Sequence, residues 1–217
     1  MYLHLSGLTS LGNNAFKGSN ISTITSLGSI TAIGEYTFNN CANLTNLDFI
    51  PNTVLTIGTH AFDGCTNIKK IQLPLSITSI GSYAISNCAK LRNIKSLGSI
   101  TTFTASMIDT CPNLEIVYFP DTIESWDVVA FNNCANLKIF ANIKNYTYLD
   151  HCFSNCPKLD TIWFSDTLTE IKVNGIQICN NQFIKTIKIG AYIDSNTGNN
   201  ITTFEITTET VTIDNEE

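Results

Sequence analysis

The sequence is poor in charged residues, and this scarcity limits both its surface chemistry and its partners. Only 14% of the 217 residues are charged, whereas an ordinary soluble domain has roughly 25%. Asn, Thr and Ser must therefore supply most of the polar surface. The net charge is −6, and nonspecific binding to a nucleic-acid backbone depends on basic patches. We therefore predict that nucleic acid is not a partner.

Long apolar runs are also missing. No stretch approaches the ~18 consecutive apolar residues that a membrane span needs. The first residues, Met1 to His4, have neither the basic region nor the apolar region of a signal peptide. We predict no membrane insertion within this chain.

Cysteine reveals how the chain is organised. Seven of the eight cysteines recur every 22 to 24 residues, at Cys41, Cys65, Cys88, Cys111, Cys134, Cys156 and Cys179. Random placement does not produce such a run, so the chain consists of tandem repeats of about 23 residues. The preceding residue is usually Asn or Gly, as at Asn40 and Gly64. Both types tolerate positive φ, so we predict a turn before each cysteine.

Each repeat contains the pattern of short strands. Residues 68–73 read Ile-x-x-Ile-x-Leu and are followed by Pro74, which suits a strand that ends where a backbone donor is lost. A second short strand is predicted within residues 76–80. Residues 61–64, Ala-Phe-Asp-Gly, are too few for a regular helix and predict a single turn.

Stacking these repeats predicts a solenoid. One coil cannot bury its apolar face alone, but coils stacked ~4.8 Å apart share a core and pair their strands in parallel. About eight and a half coils are expected. Residues 1–190 are predicted to form the tandem repeats, with an incomplete first repeat. Residues 191–217 are predicted to form a last half-repeat with a polar insertion and a capping strand, because an open end invites aggregation. Without a cap at its start, the chain is expected to come from a longer array.

The repeat resembles the BspA-like leucine-rich repeat, the Treponema pallidum type, with the pattern LxxIxLPxxLxxIgxxAFxxCxxL. Residues 65–84 follow it almost position by position. In three copies the Pro position is assigned to Leu27, Leu97 and Ile143. The resemblance implies a right-handed leucine-rich-repeat solenoid, mainly β with single helical turns, in a secreted or cell-surface protein. It also implies adhesion-type binding of protein or glycan ligands.

The remaining chemistry of the sequence points away from catalysis and cofactors. Stacked cysteines would have parallel Cβ vectors about 4.8 Å apart, whereas a disulfide needs Cβ atoms at ~3.8 Å. We therefore interpret the cysteine column as free, buried thiols. His4, His60 and His151 occupy unrelated repeat positions without a recurring acid or nucleophile. No metal site, cofactor or enzyme activity is predicted.

A candidate ligand-binding site follows from the alternation of side chains along a strand. In the 68–73 segment Ile71 and Leu73 point inward and Gln72 points outward, and the equivalent outward positions form columns down the stack. These columns contain an apolar patch, Ile116, Tyr118, Ile139 and Trp163. Next to it, Lys70 and Lys95 of the columns form a basic cluster with Lys69 and Arg92. Exposed aromatic side chains are typical of binding hot spots, whereas a looser register would turn some of these residues inward.

Three functions remain open at this stage. The chain is a binding module acting through its strand face, a structural spacer with no ligand of its own, or an intracellular protein-interaction scaffold.

Trp126 occupies an inward position in the second strand and is predicted to lie in the core.

Overall fold

The computed structural model describes residues 2–127, 130–143, 153–159, 161–164, 186–189 and 204–207. These residues form a β-solenoid of about six coils, and none of them is in a helix. The predicted solenoid of short parallel strands is confirmed. The single turns of each repeat are present as successive hydrogen-bonded turns rather than as helix. Further coils of the predicted eight and a half fall outside the described residues.

The largest sheet has seven strands, six of them parallel. These strands are β5 (Lys70–Leu73), β8 (Asn93–Leu97), β11 (Ile116–Tyr118), β14 (Ile139–Ile143), β16 (Thr161–Phe164), β17 (Thr186–Ile189) and β18 (Phe204–Thr207). The last strand, β18, pairs antiparallel with β17. We call the outward side of this sheet the strand face.

The other strands are mostly shorter and form four further parallel sheets. One sheet joins β1 (Tyr2–His4) to β2 (Thr23–Ser26). Two sheets contain the second strand of the coils, as β3 (Ala32–Ile33), β4 (Thr56–Ile57) and β6 (Ser79–Ile80), and as β9 (Thr102–Phe103) and β12 (Ser125–Trp126). The fourth contains β7 (Ile85–Ser86), β10 (Ile108–Asp109), β13 (Phe131–Asn132) and β15 (Phe153–Ser154).

The coils stack in register, so that residues one repeat apart are neighbours. Ile71 pairs with Ile94, and Ile94 pairs with Val117. The side chains of β5 alternate between exposed and buried, as predicted for a sheet with one face in the core. The inward side chains of successive coils join in one continuous hydrophobic cluster, which is what stabilises a stack of otherwise open coils.

The predicted turn before each described cysteine is confirmed. The residue there has a positive φ in every described copy, at Asn40, Gly64, Asn87, Thr110, Asn133 and Asn155. Backbone donors of the turn reach the next coil: the Asn40 N–H donates to the Asp63 carbonyl at 2.7 Å, and the Phe38 N–H to the Ala61 carbonyl at 2.9 Å. The left-handed residue thus directs polar groups along the stack.

The structure corrects the assignment of Leu97 and Ile143 to the Pro position. Leu97 pairs with Leu73, and Ile143 pairs with Phe164, one position earlier than assigned. Each strand accommodates this register through a β-bulge, in which one extra residue faces the neighbouring strand. Leu97 is therefore fully buried.

A bulge also follows the pairing of Leu3 with Ile24, in the coil that contains Leu27, and Leu27 is fully buried. In two of these coils a serine hydroxyl accepts the N–H of the glycine two residues later at 3.1 Å, Ser26 from Gly28 and Ser96 from Gly98. Both glycines have positive φ. Two of the three bulged strands described thus continue as Ser-Leu-Gly, whereas the bulged part of β14 reads Ala-Asn-Ile.

The second strand is shorter than predicted, because only Ser79 and Ile80 of residues 76–80 are in β6. Trp126 packs against the core but is only partly buried. Its ring stacks on Phe103 with centroids 4.9 Å apart.

Candidate functional site: the strand face

The basic cluster of the strand face is formed by side chains of two adjacent coils. Lys69, Lys70, Arg92 and Lys95 are all exposed. The Arg92 N–H donates to the Lys69 carbonyl at 2.9 Å, so these two residues stack directly between coils. Within the described residues, His60 and Asp63 form the only ion pair. None of the four cations therefore has a carboxylate partner in that part of the chain. The cluster is an uncompensated positive surface on a chain of net charge −6.

Lys95 lies at the bulge in β8. Ile94 pairs with Ile71, but Ser96 rather than Lys95 pairs with Gln72, so Lys95 is the extra residue. A bulge redirects the side chain that it carries. On the other side of β8, Lys95 and Tyr118 directly follow the paired residues Ile94 and Val117.

The apolar patch adjoins the cluster at β11. Ile116 pairs with Asn93 of β8 on one side and with Ile139 of β14 on the other. Ile116 and Tyr118 are half-buried, and Val117 between them is fully buried. The side chains of Ile139 and Trp163 lie outside the described residues, although their strands are placed in the same sheet. The described part of the site therefore consists of four cations and the half-buried Ile116 and Tyr118.

The cysteine column lies in the core, away from the strand face. The described members are buried and form no disulfide, at Cys41, Cys65, Cys88, Cys111, Cys134 and Cys156. Cys179 lies outside the described residues. The Cys41 thiol donates to the Phe16 carbonyl of the preceding coil at 3.0 Å, and the Cys65 thiol to the Phe38 carbonyl at 3.2 Å. A small apolar side chain with a weak donor suits this position, because it fills the core and satisfies a buried carbonyl.

The environment of three of these thiols disfavours the reactive thiolate form. Burial raises the pKa of Cys65 far above its ordinary value. A hydrogen bond to Cys111, together with burial, raises the pKa of Cys88, and a hydrogen bond to Cys156 does the same for Cys134. Cys156, which receives that hydrogen bond, has a lowered pKa. Since the thiolate is the nucleophile and the metal ligand, the raised pKa values favour a structural role for Cys65, Cys88 and Cys134.

A partly exposed aromatic ladder, which the sequence analysis missed, lies on the turns. The rings of Tyr36, His60 and Tyr83 stack in file, with centroids 4.8 and 5.0 Å apart, and the Lys17 ammonium lies 4.8 Å from the Tyr36 centroid. All three ladder residues have positive φ. Their spacings of 24 and 23 residues match those of the cysteines, and this periodicity is the signal that could have revealed the ladder.

The His60 ring is held by an acidic residue of its own turn. Its Nδ1 lies 3.0 Å from an Asp63 carboxylate oxygen. The same carboxylate accepts hydrogen bonds from the Asn39 and Asn87 amides at 3.1 and 2.7 Å. These contacts join three successive coils, and we interpret them as structural. His4 contacts the Thr25 hydroxyl at 2.8 Å, and His151 lies outside the described residues.

Over the part of the chain that the structure describes, His, Cys, Asp and Glu form no group able to hold a metal ion. Nor does any helix there have the length and apolar character needed to cross a bilayer.

With this geometry established, comparison with known families decides what kind of repeat this is. The family described as "BspA type Leucine rich repeat region (6 copies)" matches residues 9–138 and 138–216. The chain belongs to the BspA-type leucine-rich-repeat family. The resemblance drawn from the repeat pattern is thereby confirmed. Leucine-rich-repeat proteins are in general non-enzymatic binding scaffolds, and the family indicates that this chain is a protein-interaction module. No curated protein sequence matches it significantly.

Solved structures with a similar fold include bacterial members of the leucine-rich-repeat class. A leucine-rich-repeat protein of T. pallidum is 24% identical, with a TM-score of 0.51 over 64% of this BspA-type chain and 71% of that protein. A protein from Eubacterium ventriosum is 17% identical, with a TM-score of 0.48 over 78% and 71%. One from Bacteroides ovatus is 18% identical, with a TM-score of 0.43 over 88% and 71%. The T. pallidum structure supports the solenoid fold alone.

Proposed function

We propose that the chain is the non-catalytic binding module of a cell-surface or secreted protein, and that its strand face engages a partner protein in an adhesion-type interaction. The observation that carries the proposal is the juxtaposition of the uncompensated cations with Ile116 and Tyr118 on adjoining strands. Interfaces combine aromatic and Arg anchors with a polar surround. The location at the surface rests on the family resemblance.

The strand face suits this role because it is rigid. Its side chains project from hydrogen-bonded strands whose inward residues, such as Ile71, Ile94 and Val117, are fully buried. Binding to this face therefore costs little free energy for ordering the site. A spacer without a ligand does not require an uncompensated basic cluster beside an apolar patch, so this arrangement favours the binding module.

The test is an unbiased selection of binders. A random peptide library displayed on phage is selected on the immobilised full chain, and the enriched peptides are tested on two variants. One removes the site, as Lys70→Glu, Arg92→Glu and Tyr118→Ala together. The matched control, Lys90→Glu with Leu75→Ala, changes exposed residues outside β5 and β8. The Lys90 ammonium donates to the Asn67 amide oxygen.

The proposal predicts that the site variant weakens the enriched peptides at least about tenfold, which corresponds to about 1.4 kcal/mol, and that the control variant retains them. Peptides that bind the site variant as tightly as the original chain would place binding elsewhere. Failure to enrich any peptide would favour a spacer.

A further inference from the structure

The charge and spacing of the strand face define what kind of partner fits it. Lys70 lies in β5, and Arg92 and Lys95 belong to the next coil. All three side chains are exposed and lack carboxylate partners among the described residues. An uncompensated basic surface attracts acidic ligands and disfavours basic ones.

An acidic residue beside the cluster, Glu115, does not neutralise it. Glu115 is stacked beside Arg92, because its N–H donates to the Arg92 carbonyl at 2.8 Å, and Lys138 is stacked beside Glu115 in the same way at 3.0 Å. Glu115 forms no ion pair with either residue within the described part of the chain. A negatively charged partner therefore meets a net excess of cations.

The apolar part of the site lies a fixed distance from the cations. Neighbouring strands are ~4.8 Å apart, so Ile116 and Tyr118 on β11 lie one strand from β8 and two strands from β5. An extended peptide rises ~3.3 Å per residue. In an extended peptide that runs across the strands, about two or three residues therefore span the distance from the cations to the apolar side chains.

We propose that the strand face binds an acidic segment of a partner protein, with carboxylates over Lys70, Arg92 and Lys95 and a large apolar side chain, two or three residues away, over Ile116 and Tyr118. This inference rests on the proposed function and names its partner. Lys95, at the bulge of β8, is the third cation and lies on the strand next to the apolar pair. Bulges of this kind are common next to functional sites.

The experiment measures fluorescence anisotropy with four labelled synthetic peptides. The first has three Asp or Glu residues, with a Phe two residues beyond them. The second has the same composition, with the Phe eight residues away. The third replaces the acidic residues by Lys, and the fourth replaces the Phe by Gly. Heparin serves as a competing anion of a different class.

We expect the first peptide to bind most tightly and to weaken as the salt concentration rises, because salt screens exposed charges. The variant Arg92→Glu with Lys95→Glu should weaken it at least tenfold, whereas Lys90→Glu should leave it unchanged. Circular dichroism and urea unfolding confirm that each variant folds. Charge reversal at these exposed sites does not touch the core.

Three results would overturn the inference. These are the absence of binding by the first peptide, equal binding by the second or third, and heparin binding that none of the peptides displaces. If the phage-selected peptides map to the strand face but lack acidic residues, the inference fails and the proposed function survives. If they map elsewhere, the proposed function fails as well.

Discussion

A side chain can be excluded from a glycine position of the solenoid for two reasons: a left-handed backbone and the close approach of a neighbouring coil. Four glycines allow these two reasons to be tested separately. Gly12 has neither constraint, since nothing lies within 4 Å of an added Cβ. Gly18 has only a positive φ, of +68°. Gly58 has only the close approach, with an added Cβ 2.7 Å from the Glu35 nitrogen. Gly98 has both.

Alanine at each position should therefore change stability by a different amount. Gly12→Ala should be neutral or stabilising by up to about 1 kcal/mol, because it restricts the unfolded chain. Gly18→Ala should cost about 1–2 kcal/mol for the left-handed backbone. Gly58→Ala should cost about 1–3 kcal/mol, because the backbone of the preceding coil must shift.

Gly98→Ala combines the two costs. Its φ is +83°, and an added Cβ would lie 2.6 Å from the Ile77 carbonyl oxygen. The sum of the two effects is about 2–5 kcal/mol. Urea unfolding followed by both fluorescence and circular dichroism measures the free energy and shows whether the transition is two-state. Equal stability of the Gly12→Ala and Gly58→Ala variants would refute the close stacking of coils at Gly58.

Further predictions concern the core, the turn network and the thiols. Phe62→Ala should lower the free energy of unfolding by about 3–5 kcal/mol, because its fully buried ring stacks on Phe38 with centroids 5.5 Å apart. Leu75→Ala, at a side chain that is 74% exposed, should change it by no more than about 0.5 kcal/mol. Urea unfolding compares the two variants. Asp63→Ala should cost about 1–3 kcal/mol, because three side-chain donors lose their acceptor, and the exposed Asp48→Ala is the control. An aromatic disulfide reagent should titrate eight thiols in the denatured, unreduced protein, and finding two or fewer would contradict the free column. The free energy of unfolding should fall as the pH rises above the ordinary thiol pKa of about 9. Cys65, Cys88 and Cys134 have raised pKa values in the folded chain, so above this pH they release their protons only when the chain unfolds. A stability that rises from pH 8 to 10 would contradict this prediction.

The repeat itself could be predicted because every coil repeats the same physical requirement. One buried cysteine per coil, with Asn or Gly before it, marked the period and the left-handed turn together. Thr110 shows the limit of this inference. It has a φ of 49°, although threonine does not favour that region, so tertiary context rather than residue preference determines its backbone.

The bulges could not be predicted from the aligned repeats. Ile71 to Ile77 and Ile94 to Ile100 span the same number of residues, so the count alone places Leu97 at the Pro position. The extra residue in β8 is offset by a tighter turn at Gly98, and only the pairing of Leu97 with Leu73 reveals it.

The candidate site was predictable as a set of columns, because side chains alternate along a strand. Lys70 and Lys95 are exposed, as their positions in the outward columns predicted. The lack of ion pairs at these cations within the described residues was not predictable, because ion pairing depends on side-chain positions rather than on repeat spacing. Ligand binding by these residues stays a prediction.

The most direct test of the account is a lysine footprint of the chain in complex with a phage-selected peptide. Acetylation of each lysine is measured by mass spectrometry, with and without the peptide. The account predicts that Lys69, Lys70 and Lys95 become protected and that Lys17 and Lys90 label at unchanged rates. Protection of Lys17 or Lys90, with the strand-face lysines still reactive, would contradict it.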